Sequence, residues 1–551
     1  MQPFRSTRSV RAGVAFSACV LAVTALAACG SSAPKAASTT TSAAAPRDTA
    51  RVLLVGTFHG HAGQYQTIQS AVDAAKPGDW ILVAPGDYHE NADTTGPESE
   101  YVASGGFGGV YIDKSSIHLR GMSRTSVIVD GTKAGAPACS ASPDDQTYGR
   151  VGTDGKAEGR NGILIWKANG VSVDNLTVCN FLAGSRPAGN EIWWNGGADS
   201  AKIGLHGYSG SYLTATSTFL GTDQTGAQYG IFSSNSAGPA SWVTTYASNF
   251  NDSGMYVGAC LQVCNIKIDH AWMEYNALGY SGTNSGGAIV IEHSQFDNNE
   301  DGLDTNTQLA GDPPPPQNGA CPKGAISPIT HTHSCWVFEH NNVHDNNNPN
   351  VPAAGSAAAG PVGTGMTLSG GRNDTVMNNT FANNGAWGIL FVPYPDSGTP
   401  DPGTTCSGSG GVQTTGLGCV YDPENDALLH NTFKHNGFFG NPSNSDYGQI
   451  TTNAHQPQNC YAGNIAPDGS APANLEKIQP TCGKLTTAAN TGGPLLGQVL
   501  CDTGFGSCPA GAKYPKTTSV VMHPLPKTLA SMPNPCAGVP ANAWCVGGKP
   551  V

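Results

Sequence analysis

Short apolar runs, each bounded by glycine, asparagine or aspartate, recur through most of the chain. They span four to eight residues and are rich in valine and isoleucine, as is typical of β-strands buried on one face. Long helical runs of leucine, glutamate, lysine and alanine are missing. The pattern therefore predicts many short strands joined by tight turns. The clearest runs lie at residues 109–113, 117–121, 126–131, 162–166 and 171–178.

A fixed spacing links three of the later runs. Phe250, Met273 and Phe296 recur at intervals of 23 residues, each inside a similar stretch of sequence. This period predicts a solenoid, because one repeat cannot bury its own apolar face and has to stack on a neighbour. We expect the three side chains to stack inside it. Asparagine recurs in the turns of later repeats, at residues 377–391 and 429–437, where it tolerates left-handed backbone and can stack in ladders.

The start of the repeats carries the most specific signal of the fold. Residues 65–75 place Ile68, Ala71, Val72 and Ala75 at helical spacing, and residues 76–90 read as turn, buried strand and turn. The segment T-I-Q-S-A-V-D-A-A-K-P-G-D-W-I-L-V-A-P-G-D-Y resembles the N-terminal cap of right-handed parallel β-helix proteins of the pectin-lyase-like superfamily. In that family a short amphipathic helix covers the open end of the solenoid, which would otherwise expose apolar core and unpaired strand edge.

The predicted fold is thus all-β: a single right-handed parallel β-helix of roughly a dozen rungs, with an N-terminal capping helix and inserted side loops. A chain of 551 residues needs no division into domains, because a solenoid grows by adding rungs. Proline and glycine clusters predict side loops at residues 313–335, 349–362 and 393–419. We assign residues 51–483 to the β-helix with its cap and 484–551 to a tail or C-terminal cap.

The N-terminal residues 1–29 are similar to a bacterial lipoprotein signal peptide. Arg5, Arg8 and Arg11 precede a short apolar stretch that ends in L-A-A-C. The resemblance implies that Cys29 carries lipid and anchors the protein to a membrane surface; the alternative is an ordinary signal peptide with a chance cysteine. Residues 30–50 follow as a flexible, serine- and alanine-rich tether. No other apolar run is long enough to cross a bilayer.

Cysteine usage agrees with an exported protein, and the charge bears on its partners. Of 16 cysteines, Cys19 leaves with the signal and Cys29 is lipidated, which leaves an even number, most of them close in sequence. Local disulfides are the natural arrangement outside the cytoplasm; a metal site is the alternative. The net charge of −12 disfavours nucleic acid and anionic lipid surfaces as partners. It also disfavours polyanionic glycans unless Ca²⁺ or a local basic patch intervenes.

An acidic turn in the third 23-residue repeat is the best catalytic candidate. The segment N-E-D-G-L-D at residues 299–304 resembles the N-T-D-G-I-D motif of polygalacturonase-like glycoside hydrolases. The resemblance implies a catalytic role for Asp301; Glu300 and Asp304 are the further candidates for acid and base. The family's later D-D, G-H-G and R-I-K motifs do not follow in order. In a 23-residue register, Asp301 and Asp304 fall opposite Leu278 and Ser281, so the preceding rung offers no partner carboxylate.

Substrate-binding candidates lie elsewhere. Trp193 and Trp194 are adjacent aromatics suited to sugar stacking, although one of two neighbouring tryptophans is normally buried. His331 and His333 alternate onto one face of a loop strand, which suits a metal or substrate contact, with a polar surface strand as the alternative. The pairs at 269–270 and 344–345 each join aspartate and histidine and could supply acid or base.

Two functions stay open at this point. The first is a surface-anchored hydrolase or lyase acting on polysaccharide; the second is a non-catalytic module that binds glycan or protein. Fold cannot decide between them. The enzyme hypothesis predicts Asp301 in a groove walled by the loops at 313–335 and 393–419, with a second carboxylate within about 10 Å. We expect a monomer, polysaccharide as partner, membrane contact only through the lipid, no certain cofactor, and Ca²⁺ as the candidate cation.

Overall fold

Three parallel ladders of short strands form the body of the protein. The computed structural model describes residues 50–91, 108–186, 188–197, 202–222, 224–283, 285–306, 335–355, 357–396, 406, 411–414, 418–451, 459–479 and 493–551. Face 1 is an 11-stranded parallel sheet. Its strands are Gly108–Ile112, Asn161–Trp166, Asn190–Asn195, Tyr229–Ser234, Ser253–Gly258, Leu278–Ser281, Asp301–Asn306, Thr364–Ser369, Trp387–Val392, Ser445–Gln449 and Ser470–Ala471.

Faces 2 and 3 belong to one 20-stranded parallel sheet. The long strands Val171–Cys179 and Leu205–Thr216 contribute to both faces, because each pairs with two successive strands. The other strands of face 2 are Val52–Val55, Trp80–Val83, His118–Gly121, Ser236–Val243, Cys260–Asp269, Ser285–Glu292, Trp336–Glu339, Thr375–Met377, Ala427–Leu429 and Cys460–Ala462. The other strands of face 3 are Gly86–Tyr88, Val127–Asp130, Tyr246–Ser248, Trp272–Glu274, Gln295–Asp297, Asn342–His344, Thr380–Ala382 and Thr432–Lys434.

The remaining elements lie outside the three ladders. Helix α1 is Ile68–Ala74, α2 is Leu475–Ile478 and α3 is Gly493–Asp502; short 3₁₀ turns cover Pro143–Asp145 and Ala357–Ala359. No helix in the described part of the chain is both long and apolar enough to cross a lipid bilayer. The small antiparallel sheets pair Thr57–Phe58 with His61–Ala62, Gly418–Tyr421 with both Tyr394–Asp396 and Gly411–Thr414, and Cys545–Val546 with Lys549–Pro550. This architecture is the predicted all-β parallel solenoid.

The apolar side chains of all three faces meet in one continuous interior. Met273 lies directly opposite Phe296 on the next rung, as the 23-residue spacing predicts. Phe250 is equally buried, but Met273 pairs with Ala247. Phe250 instead lies in the following turn, where its amide donates to Asn276. The predicted interior position of Phe250 is therefore confirmed. Its 23-residue alignment with Met273 is wrong, because the rung that contains Phe250 is longer than 23 residues.

Asparagine has two distinct roles in the turns. At Asn298, Asn378 and Asn383 the backbone is left-handed, with φ of 57°, 57° and 55°. The asparagine that follows each of them is buried and bonds the same residue type on the next rung. One such ladder joins Asn276, Asn299, Asn346, Asn384 and Asn436, and a second joins Asn341, Asn379, Asn431 and Asn464.

Both ends of the solenoid are covered. Helix α1 packs Ile68, Ala71 and Val72 onto the N-terminal end. The Glu90 carboxylate accepts the Ile68 and Gln69 amides at 2.6 and 3.0 Å. These contacts satisfy donors that a helix N-terminus leaves open, and they confirm the predicted capping helix. At the other end Leu475 of α2 belongs to the interior.

The last residues of the chain run back along the solenoid toward its N-terminal end. Asn249 exchanges two hydrogen bonds with the backbone of His523, at 2.8 and 2.9 Å. Further along, Asn175 accepts the Met532 amide at 2.8 Å. The indole of Trp544 finally docks against the first strands and donates to the His61 carbonyl at 2.8 Å. We call residues 515–551 the C-terminal strap.

Candidate functional site

Three aspartates lie close together on the outer side of face 1. Asp301 and Asp304 are both on the strand that pairs with Leu278–Ser281. Asp252 immediately precedes the strand Ser253–Gly258, in which Ser253 lies opposite Leu278. In this register Asp252 and Glu300 occupy equivalent positions on rungs that are two apart. At about 4.8 Å per rung, their backbones are about 10 Å apart. We call Asp252, Asp301 and Asp304 the acidic patch.

Asp301 is the buried member of the patch. It is 0% exposed, and it accepts the Thr367 hydroxyl at 2.9 Å and the Leu303 amide at 3.3 Å. Gly360 lies so close that a β-carbon there would come within 3.3 Å of the Asp301 and Leu278 side chains. Burial raises the pKa of Asp301 well above its usual value, and the nearby Asp304 and Glu300 raise it further. The side loop predicted at 349–362 therefore covers Asp301 in this structure.

Asp252 and Asp304 keep partial exposure to solvent. Asp252 accepts the Tyr229 hydroxyl at 3.0 Å and the Ser253 hydroxyl at 3.2 Å. Burial raises the pKa of Asp252 to about 6; the two hydroxyls oppose this rise and Asp304 adds to it. Asp304 accepts the Ser369 hydroxyl at 2.8 Å. The patch thus contains two partly exposed aspartates that interact electrostatically.

Glu300 interacts electrostatically with Asp502 at the end of helix α3. Glu300 is 7% exposed, and its Oε2 is buried with no hydrogen-bond partner among the described residues. Burial raises the pKa of Glu300 to about 8. Burial raises the pKa of Asp502, the last residue of α3, and Glu300 raises it further. The hydrogen bond from the Val362 backbone amide lowers it in part. Glu300 is therefore mostly protonated at neutral pH and contributes little charge to the patch.

The two tryptophans point to opposite sides of their strand. Trp194 is 0% exposed inside the solenoid and packs against Trp242. Trp193 faces outward but is 6% exposed, because its ring stacks on Phe232 at 5.0 Å and Phe232 stacks on Tyr256 at 4.7 Å. In this conformation neither tryptophan offers a free ring face to a sugar. Trp193, Phe232 and Tyr256 nevertheless lie opposite one another on successive rungs. Asp304 continues this column two rungs beyond Tyr256.

The other predicted residues that the structure describes are not part of the acidic patch. Cys29, His331 and His333 lie outside the described residues, and their roles remain predictions. His270 bonds the Asp269 carboxylate at 2.6 Å on the outer edge of face 2. His344 and Asp345 bond each other at 2.7 Å on face 3. The loops at 313–335 and 393–419 are only partly described, so the predicted groove walls stay predictions too.

Sequence reasoning missed Asp252, Tyr229 and the two hydroxyl donors Thr367 and Ser369. A signal for Asp252 was present, because N-D-S-G at 251–254 corresponds in the structure to N-E-D-G at 299–302. Comparison of alternate repeats, rather than adjacent ones, would have revealed it. The hydroxyl donors had no such signal, since Thr367 and Ser369 follow a long insertion in the chain.

Three groups among the described residues could hold a metal ion by geometry. One contains Cys139 and Cys179, which form a disulfide and so cannot act as thiolate ligands. The others are Asp269 with two histidines, and the group of Asp87, His89 and Asp130. The acidic patch is not among them, and Ca²⁺ binding remains a prediction.

Comparisons with known proteins found distant matches among solved structures. No family model matches the chain, and no curated protein matches it. The mannuronan C-5 epimerase AlgE4 A-module of Azotobacter vinelandii aligns with a TM-score of 0.41 and 12% identity, over 72% of this chain and 90% of that one. A rhamnogalacturonan lyase aligns at 0.38 and 10%, over 74% and 87%. PfbA, a surface adhesin of Streptococcus pneumoniae, aligns at 0.32 and 10%, over 72% of each chain. These likenesses concern the fold alone.

Proposed function

We propose that this chain binds a polysaccharide along the outer side of face 1 and hydrolyses it at the acidic patch. The observation that carries the proposal is the pair Asp252 and Asp304, two partly exposed carboxyl groups in different hydrogen-bonded settings. Glycoside hydrolysis requires two carboxyl groups, because one donates a proton and the other accepts one.

Each aspartate has a distinct role in this proposal. Asp252, with its pKa raised to about 6, protonates the leaving glycosidic oxygen as the bond to the anomeric carbon breaks. Asp304 accepts the proton of the water that attacks that carbon. Asp301 is a positioning residue, because it has no exposed surface and holds Thr367 beside the pair.

Charge narrows the substrate class to neutral or amino-sugar polysaccharides. The site itself is built from carboxyl groups, and the whole chain carries a net charge of −12. A polyuronate would bring further carboxylates into this field without compensation. An uncharged or cationic chain meets no such repulsion.

An extracytoplasmic, lipid-anchored location through Cys29 belongs to the same proposal. Five disulfides join described cysteines, and such bonds persist mainly outside the cytoplasm. In a bacterial host, wild-type protein should fractionate with the membrane and Cys29→Ser should be released. Equal membrane retention of both would refute the anchor.

The test of catalysis is a reducing-sugar and unsaturated-product assay over neutral, amino-sugar and uronate polysaccharides, with and without Ca²⁺. We expect reducing ends without unsaturated product, and a loss of about 10²–10⁴-fold in Asp252→Asn and in Asp304→Asn. Asp345→Asn, on face 3 with a side chain 45% exposed, is the matched control and should keep full activity.

Two outcomes would overturn the hydrolase. Unsaturated product would indicate a lyase. Glycan binding that persists in both aspartate variants, with no product from any polysaccharide, would instead support the non-catalytic binding module.

A further inference from the structure

A second cluster of ligand-type side chains lies on face 3, in the N-terminal rungs. Asp87 and His89 are two residues apart, so they project to the same side of their strand. That strand pairs with Val127–Asp130, with Asp87 opposite Ile128 and Tyr88 opposite Val129. The next position along brings His89 beside Asp130. One ligand atom from each of Asp87, His89 and Asp130 lies within 4.8 Å of the other two.

Hydrogen bonding determines which nitrogen of His89 carries a proton. Its Nδ1 lies 2.9 Å from the Thr132 carbonyl oxygen, and a carbonyl can only accept. Nδ1 is therefore the donor, and Nε2 of the neutral ring presents a lone pair. That lone pair faces the Asp87 carboxylate at 3.2 Å. Two acceptors in contact repel each other unless a proton or a cation lies between them.

The third ligand is held in place independently. Asp130 is 0% exposed, and its two oxygens accept the backbone amides of Thr132 and Cys139 at 2.8 and 2.6 Å. Those amides bring no full positive charge. The Cys139 loop is itself tied to the strand beside Asp130 by the disulfide to Cys179. The ligand orientation thus depends on supporting contacts of the kind that surround metal sites.

We propose that Asp87, His89 and Asp130 bind one divalent transition-metal ion, Zn²⁺ or Mn²⁺. One imidazole and two carboxylates form a donor set suited to these ions, whereas Ca²⁺ takes six to eight oxygens. Three protein ligands leave at least one position for water. The side chains of His89 and Asp87 are 14% and 29% exposed, so the ion can enter from solvent.

The other histidine-containing group provides an internal comparison. Nδ1 of His270 and Nδ1 of His293 both face Oδ1 of Asp269, at 2.6 and 3.2 Å. Two imidazole N–H donors satisfy that carboxylate oxygen without a metal. The ammonium of Lys267 lies 4.0 Å from the same carboxylate and would repel a cation. We therefore expect no site there.

The test measures metal binding to the full mature chain by calorimetry, with metal content after dialysis as a second readout. Wild type should take up one equivalent of Zn²⁺ or Mn²⁺ and bind Ca²⁺ at least about 10-fold more weakly. Asp87→Asn and His89→Gln should each weaken the preferred metal at least about 10-fold. Asp269→Asn should bind like wild type. Asp130 is left intact because it holds the neighbouring loop, and equal melting temperatures of the metal-free proteins would show that the variants fold.

Three results would overturn the proposal. The first is that wild type binds neither Zn²⁺ nor Mn²⁺ and that NMR shows protons on both nitrogens of His89. A proton, and not a metal ion, would then lie between His89 and Asp87. Binding could survive both Asp87→Asn and His89→Gln. It could also be lost in Asp269→Asn, which would place the site on face 2.

Discussion

The asparagine ladder allows a quantitative prediction, because Asn346 lies in the middle of it. Its Oδ1 accepts two donors from Asn299, the backbone N–H at 3.2 Å and the side-chain amide at 3.0 Å. Its own amide donates to the Phe296 carbonyl at 3.1 Å and to Asn384 at 3.2 Å. Asn346 is fully buried, so water cannot replace these bonds. Substitution to alanine removes all of them.

The expected loss of stability follows from the two donors left on Asn299. A buried group without a partner costs about 1–3 kcal/mol, so two such donors cost about 4 kcal/mol. Each rung contacts mainly its neighbours, and the loss should therefore be concentrated near Asn346. Hydrogen exchange measured by mass spectrometry on peptides covering residues 294–303 should accelerate about 10³-fold in Asn346→Ala.

Asn378→Gly is the matched control for this prediction. Asn378 has the left-handed backbone of the turns but is exposed, and glycine accepts that conformation freely. Its exchange should change by less than about 10-fold. Asn346→Ala with wild-type exchange in residues 294–303 would refute the idea that the ladder stabilises the turns.

Three further predictions concern pH, the C-terminal strap and a disulfide. Burial raises the pKa of Glu300 from 4.5 to about 8, so folding takes up a proton between these pH values and stability should fall as the pH rises through them. The melting temperature of Glu300→Gln should fall less than that of wild type over the same pH range. Trp544→Ala removes a fully buried indole and should cost about 3–5 kcal/mol, seen as faster exchange at residues 52–58 and contradicted by unchanged exchange there. Serine at both Cys139 and Cys179 opens a loop of 40 residues and should cost about 4 kcal/mol in urea unfolding; a loss below about 1 kcal/mol would contradict the chain-entropy estimate.

Much of the fold was readable from the sequence because its determinants are local and repeat. Alternating apolar residues, left-handed asparagine turns and the amphipathic α1 segment each depend on a few neighbouring positions. The same repetition predicts Leu278 opposite Asp301 and Ser281 opposite Asp304, and the strand register confirms both pairs. It failed at Phe250, where one longer rung breaks the 23-residue register.

The candidate site was only partly predictable, because its chemistry depends on contacts between distant segments. The motif at 299–304 identified three carboxyl groups, but not that Gly360 covers Asp301 or that Asp502 interacts electrostatically with Glu300. Strand alternation predicts that Trp193 and Trp194 point to opposite sides, but not that the outward ring is enclosed by aromatic stacking. Sequence alone determined the solenoid, its cap and its turns, because those rest on local backbone preference and periodic burial. Tertiary structure decided which acids are accessible, because exposure depends on loop docking and rung register.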